Sequence, residues 1–357
     1  MRKVLFIVGA ALGHVGRALM VARELRDGEG HGCVFTGSDL AGYLERYVAP
    51  EGFRTIPLRD RDINVSPAVF TERVEAVLHE ESPDLILFDL SPLPWLSMLR
   101  LPDVPVVYLT NHFLTRLGSD TTVQDLIFRE YVGPINQARE SRGLEPLAGA
   151  RELYERDLVI LADPAGLFDS PAELPSGYVV TGAIWWEPDS VLPAELEAER
   201  DLLFVSLGST GVPLPDGLVP ELKRVLDISR AVKVPAGGGK GSSGVGVPWT
   251  AYASLPGTEV LWRSKLCLSQ GGAGSSYQAL AAGVPLACWP GHLNHVVLAK
   301  RLEEIGAGVL LEAASWRDRL VSLRDEWPAM RGAAERFRGM SSVDAARVAA
   351  SRIAALG

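Results

Sequence analysis

The chain has 357 residues, 47% of them apolar and 22% charged, with a formal net charge of −9. That composition is ordinary for a folded protein and excludes wholesale disorder. The acidic balance argues against a chain that coats nucleic acid, and at roughly 150 residues per domain the length predicts two domains.

The opening MRKVLFIVGAALGH has the basic start and apolar run of a signal peptide. It is too short for a membrane span, which needs roughly 20 residues, and Gly13, His14 and Arg17 interrupt it. We therefore predict a buried first strand, Val4 to Gly9, apolar on both faces as parallel strands are. A helix is predicted over Val15 to Arg26, with Leu19, Ala22 and Leu25 on one stripe. A second strand is predicted in His31 to Gly37, a helix in Phe70 to Glu80, and buried strands in Ser82 to Leu90 and Val104 to Thr110. Leu158 to Ala162 and Tyr178 to Thr181 read as two more short strands.

The character changes at Trp185 to Asp201, which carries two prolines and six acidic residues. This reads as a linker plus a short helix at a domain boundary. The alternation then restarts. LLFVSLGS is a strand, Leu218 to Asp227 a helix, and AVKVPAGGG a strand running into a glycine turn. KLCLSQGG and VPLACWP are strands that flank a helix over Ser275 to Ala282. His295 to Ile305 reads as a helix, and Trp316 to Leu356 as helical. GGGKGSSGVGV, Gly237 to Val247, is the one low-complexity stretch and reads as a surface loop. Two strand-helix blocks imply an α/β fold class with two Rossmann-like, doubly wound domains. The expected division is 1–185, a linker 186–200, a second domain 201–340, and a C-terminal helix in 341–357 that packs back on the first domain. Cys33, Cys267 and Cys288 have no CxxC spacing. They point away from a disulfide framework or thiolate zinc site and toward a cytoplasmic setting.

Ligands of such sheets bind beyond the carboxyl ends of the strands, so the glycine loops there hold the candidate chemistry. In LSQGGAGSSYQAL, Gly271, Gly272 and Gly274 lie between a strand and a helix, followed by Ser275 and Ser276. Small residues let backbone N–H groups approach an anion, and the helix N-terminus adds positive potential. A diphosphate site and a plain glycine turn with a serine helix cap both fit. No GK[ST] follows, so it is not a Walker A loop. In GAALGHVGRAL, His14 is expected on the turn after the first strand. There it is either a general base or a capping, solvent-facing residue. A base of this kind works best with a carboxylate on its other ring nitrogen, and Asp89, ending LILF on the same sheet edge, is the candidate; its alternative is a helix N-cap. VSLGSTG, the first loop of the second domain, offers Gly208, Ser209 and Thr210 as further donors.

These blocks, with GPINQARESRGLEPL, GYVVTGAIWW and ASLPGTEVLWRSKLCLSQGGAGSSYQALAAGVPLACWPGHLNH, are collinear over nearly the whole chain. Together they resemble the nucleotide-sugar-dependent, inverting glycosyltransferases of the GT-B fold, of the natural-product type. The resemblance implies two Rossmann-like domains with a cleft between them. It implies His14 as the base that deprotonates an acceptor, with Asp89 orienting it. It implies Ser209, Gly271, Gly272, Gly274 and Ser275 on the donor diphosphate, and Ala253 to Leu255 on the nucleotide base. The family's donor signature, HGGxGTxxEAL…PxxxDQ, differs here. Its histidine is Gln270, its ribose-binding glutamate is Gln278, and its Asp-Gln pair is Asn294-His295.

The resemblance places acceptor contacts in the first domain, in SPLPWL, in TNHF and in Leu114 to Tyr131, with Trp95, His112, Phe113 and Phe128 as candidates for a small hydrophobic natural product. It implies no cofactor and no metal, only a UDP- or dTDP-linked sugar as co-substrate. Asp60-Arg61-Asp62 is expected to be a solvated loop. No nucleic-acid partner, no transmembrane segment, and a monomer or homodimer are expected. Alternatives are a nucleotide-sugar hydrolase or epimerase on the same fold, and a non-catalytic nucleotide-binding partner of a true transferase.

Overall fold

A computed structural model describes residues 2–89, 93–115, 117, 123–169, 173–209, 211–234 and 248–356. The chain divides into two compact units, Met1–Ile184 with Ser342–Gly357, and Trp185–Ser341. The linker segment at 186–200 thus belongs to the second unit.

In the first unit, β1 (Lys3–Val8) leads into α1 (Leu12–Asp27), β2 (Gly32–Ser38) and β3 (Arg54–Leu58). α2 (Pro67–Glu81), β4 (Leu85–Asp89), α3 (Leu93–Leu96) and β5 (Val106–Thr110) follow. α4 (Val123–Ser141), β6 (Leu158–Leu161) and β7 (Tyr178–Val180) complete the sheet layer. All seven strands are parallel, in the order β3-β2-β1-β4-β5-β6-β7. Continuous apolar runs such as VLFIV and LILF are buried on both faces, which a parallel sheet covered by helices requires. Leu5, Ile7, Ile86 and Val159 lie in the core with Tyr108 and Tyr154, and each side chain of this kind contributes about 1.5–3 kcal/mol by leaving water.

In the second unit, α5 (Ala194–Glu197) precedes β8 (Leu202–Ser206), α6 (Leu218–Leu226), β9 (Ala231–Lys233) and β10 (Thr250–Ala251). Then come α7 (Gly257–Leu261), β11 (Ser264–Ser269), α8 (Ala273–Ala281), β12 (Leu286–Cys288), α9 (Leu293–Glu304), β13 (Gly308–Leu310) and α10 (Trp316–Glu335). This sheet is also parallel, in the order β10-β9-β8-β11-β12-β13. The last helix, α11 (Ser342–Ala354), returns to the first unit and packs on α1. Its alanine face, Ala345, Ala346, Ala349 and Ala350, is buried, and Arg347 pairs with Glu24 of α1 at 3.3 Å.

The strand orders locate the chemistry. Chain order reverses between β1 and β4 in one sheet and between β8 and β11 in the other. At such a switch the loops diverge to opposite faces and leave a crevice beyond the carboxyl ends. Val8 pairs with Asp89 at the first switch, and Ser206 with Ser269 at the second.

Four expectations need correction. His14 lies in the first turn of α1, not on the turn before it, because the helix starts at Leu12. α8 starts at Ala273, with Gly272 as its N-cap and no side-chain cap, so Ser275 and Ser276 are inside the helix. The stretch Leu114 to Tyr131 is not one loop, since α4 begins at Val123. Arg54–Leu58 forms an edge strand where none was expected. Thr210, Gly237 to Val247 and part of SPLPWL lie outside the described residues. No helix among the described residues is long and apolar enough to cross a membrane.

Candidate active site and its relatives

The first constellation lies at the β1/β4 switch. Asp89 ends β4 and is 1% exposed, while the His14 side chain is 24% exposed. The backbone ties the two loops together, since Gly9 N–H donates to the Asp89 carbonyl at 2.9 Å. His14 Nδ1 lies 2.6 Å from Asp89 Oδ1. Against an ionised carboxylate that nitrogen must be the donor, so Nε2 keeps its lone pair.

Sequence reasoning missed a third member, Arg17. It follows His14 by three residues on α1, which puts both side chains on one helix face. Its Nε donates to Asp89 Oδ2 and one Nη to Oδ1, each at 2.7 Å, a bidentate fork. The other Nη donates to Asn111 Oδ1 at 2.6 Å. Burial pushes the Asp89 carboxyl up, but Arg17 and His14 together outweigh it and hold the group below the ordinary carboxylate range. Burial also works against the Arg17 charge, and Asp89 more than restores it.

The aromatic candidates are mostly packed. His112 is buried with its ring stacked on Phe168, centroids 5.2 Å apart, and Phe113 meets the same ring at 5.7 Å. Trp95 leans on Phe70 at 5.6 Å, and Trp95 and Phe128 are half-buried against the first core. Asp60 pairs with Arg73 at 3.0 Å on the surface.

The second constellation lies at the β8/β11 switch. Gly208 follows β8 with φ +66°, and a Cβ there would sit 2.0 Å from the Gln270 amide nitrogen. Glycine at 208 therefore lets Gln270 lie across the loop. Gly271 has φ +82°, and its Cβ would come within 2.7 Å of the His295 carbonyl oxygen. Gly272 caps α8, no acidic side chain stands in that helix's first turn, and Gly274 has open space above it. Ser275 Oγ is 2.8 Å from Ser206 Oγ, and Ser209 stands half-buried next to Gly208. The loop thus presents backbone N–H groups at a helix N-terminus, the usual requirement for holding an anion.

Gln270 and His295 are both buried here. Gln270 Oε1 and His295 Nδ1 have no hydrogen-bond partner among the described residues. Burial, with help from the neighbouring His292, pushes the His295 imidazole down to about 4, so it is neutral at physiological pH. Asn294 is half-buried beside it.

The Gln278 amide is already committed. Its Nε2 donates to Glu187 Oε2 at 2.7 Å and to Thr258 Oγ1 at 3.2 Å, and the Thr258 N–H donates to the same Glu187 oxygen at 2.8 Å. Only its carbonyl oxygen is left for a ligand. Glu187, 91 residues away, was not legible as its partner. Ala253 is exposed, whereas the Leu255 side chain is buried in the unit, so Leu255 can offer a ligand only its main chain.

No protein-family model matches the chain. It is 30% identical over 231 residues to a "PGL/p-HBAD biosynthesis glycosyltransferase" of Mycobacterium tuberculosis, covering 63% of this chain and 50% of that protein. The chain thus spans about half the length of that curated relative. It is 26% identical to a "PGL/p-HBAD biosynthesis rhamnosyltransferase" of Mycobacterium bovis, covering 90% of this chain and 79% of that one. Among solved structures it is similar to CalG4, the calicheamicin glycosyltransferase, with a TM-score of 0.73, 18% identity and coverage of 99% and 97%. It is also similar to the glycosyltransferase VinC in complex with dTDP, with a TM-score of 0.67, 19% identity and coverage of 99% and 100%. The fold is GT-B, with two parallel α/β units.

Proposed function

We propose that this chain, which is related to named glycosyltransferases and has the GT-B fold, moves a sugar from a nucleoside diphosphate to an acceptor hydroxyl with inversion at the anomeric carbon. The observation that carries the reading is the 2.6 Å contact of His14 Nδ1 with the buried Asp89. It leaves Nε2, on a ring still 24% exposed, as the proton acceptor. Small hydrophobic natural products with a hydroxyl or amine are the acceptors proposed.

The chemistry follows from those atoms. The acceptor O–H gives its proton to His14 Nε2 as the oxygen forms a bond to the anomeric carbon. The bond from that carbon to the diphosphate oxygen breaks, and its electron pair leaves with the diphosphate. Asp89 stays ionised and stabilises the imidazolium that forms. The backbone N–H groups of Gly272 to Ser275, with the hydroxyls of Ser209 and Ser275, are proposed to meet the developing negative charge. Gln270 adds a neutral donor there, and neutral His295 with Asn294 faces sugar hydroxyls. The Gln278 carbonyl, and the main chain from Ala253 to Leu255, are proposed to meet the nucleoside. The donor is UDP- or dTDP-linked, and the reading assigns no step to a metal or cofactor.

The test is His14→Ala. General-base catalysis typically contributes about 10²–10⁴-fold. Turnover should fall by that order, while the thermal shift induced by UDP or dTDP is retained. Unchanged turnover removes the base from the reading.

A further inference from the structure

We infer that Arg17 is a positioning residue that keeps Asp89 ionised and aimed at His14 Nδ1, and so fixes which ring nitrogen serves as the base. The inference rests on the proposed role of His14 and adds a residue to it.

The geometry is over-determined. Asp89 Oδ1 meets both His14 Nδ1 and an Arg17 Nη, at 2.6 and 2.7 Å, while Oδ2 takes Arg17 Nε at 2.7 Å. The carboxylate therefore cannot rotate without breaking the fork. Arg17 is anchored in turn by Asn111, whose amide donates to the Ala162 carbonyl at 3.2 Å and to Asp163 Oδ1 at 3.0 Å. Asp163 Oδ2 accepts the His112 N–H at 2.5 Å. The fork is thus tied to the ends of β5 and β6, two and three strands away from β1. Arg17, Asp89, Asn111, His112 and Asp163 are all buried.

The charges support the same role. The titratable and charged groups around the fork are His14 and Arg17 of α1, Asp89 of β4, Tyr108 of β5 and Asp163 beyond β6. Burial pushes the Tyr108 phenol up and keeps it neutral. With both carboxylates ionised, one guanidinium faces two carboxylates, and protonation of His14 balances the cluster. A lone buried carboxylate would instead take up a proton, because desolvation favours its neutral form. Arg17 prevents that, and its planar fork does so in one orientation, which a lysine ammonium cannot impose.

The experiment is NMR on the full chain with ¹⁵N-labelled histidine and ¹³C-labelled aspartate carboxyls, comparing wild type with Arg17→Met, Arg17→Lys and Asn111→Ala. His14 and Asp89 signals are assigned from His14→Gln and Asp89→Asn. In wild type, neutral His14 should show the Nδ1–H tautomer, and Asp89 should stay ionised to low pH. Arg17→Met should mix the tautomers and move the Asp89 titration up by more than one pH unit. Arg17→Lys should hold the titration low yet lose tautomer preference. Asn111→Ala, which keeps both charges, should loosen the tautomer in the same direction and serves if Arg17→Met does not fold. Turnover of Arg17→Met should drop on the order of 100-fold, as a misplaced catalytic group does. A folded Arg17→Met, or Asn111→Ala in its place, with wild-type histidine and aspartate signals overturns the inference. If His14→Ala turns over normally while these signals shift, the base assignment fails and the positioning of Asp89 by Arg17 stands.

Discussion

Lowering the pH should destabilise the second unit through one side chain, His295. Burial and His292 push its imidazole down from the ordinary 6.5 to about 4. In the unfolded chain the ring takes a proton near 6.5, while in the folded unit it stays neutral until about 4. Between those values the unfolded state binds more protons, so stability falls as pH falls. At 1.36 kcal/mol per pH unit, lowering the pH from about 7 to 4.5 should remove roughly 2 kcal/mol through this group. Seven of the eight tryptophans lie in the second unit, the exception being Trp95, so intrinsic fluorescence follows that unit as it unfolds. Urea titrations of wild type and His295→Gln at the two pH values isolate the effect. The loss on acidification should be smaller in His295→Gln by about 2 kcal/mol. An equal loss in both proteins would refute the reasoning, because the native ring would then titrate as it does in the unfolded chain.

The donor-loop glycines should separate strain from ligand contact. Gly271→Ala forces an L residue to φ +82° with its Cβ 2.7 Å from the His295 carbonyl, so it should lower the melting temperature and abolish the UDP- or dTDP-induced shift. Gly274→Ala meets open space inside α8, so the fold should gain about 0.4–1 kcal/mol while nucleotide affinity falls, as measured by calorimetry. Treatment with EDTA should leave glycosyl transfer unchanged, because backbone N–H groups are assigned the charge of the leaving diphosphate; a large loss, restored by a divalent cation, would contradict that assignment.

Much of the fold is legible in the sequence because parallel strands are apolar on both faces. VLFIV, LILF and VVYLT need no partner information to be read as buried strands. Arg54–Leu58 is different. It is an edge strand with one buried residue and a proline, so it carries neither an apolar run nor a clean alternation. α4 is masked in the same way by Pro134 in its interior. At the site, His14 and Asp89 are readable because Asp89 ends an apolar strand and His14 follows one within a glycine-bearing segment, although it stands in the first turn of α1. Arg17 is not, since a charge on an apolar helix stripe looks like an interruption until Asp89, 72 residues on, is seen against it. The Glu187–Gln278 bond has the same character, joining residues whose spacing obeys no local period.

The most direct measurement is the acceptor dependence of His14→Ala, comparing an aliphatic alcohol with an acceptor already ionised at the assay pH, such as a thiophenol. If the imidazole removes the acceptor proton, the variant should lose about 10²–10⁴-fold with the alcohol and keep most of its rate with the thiolate. An equal loss on both acceptors, or full activity on the alcohol, would contradict the account.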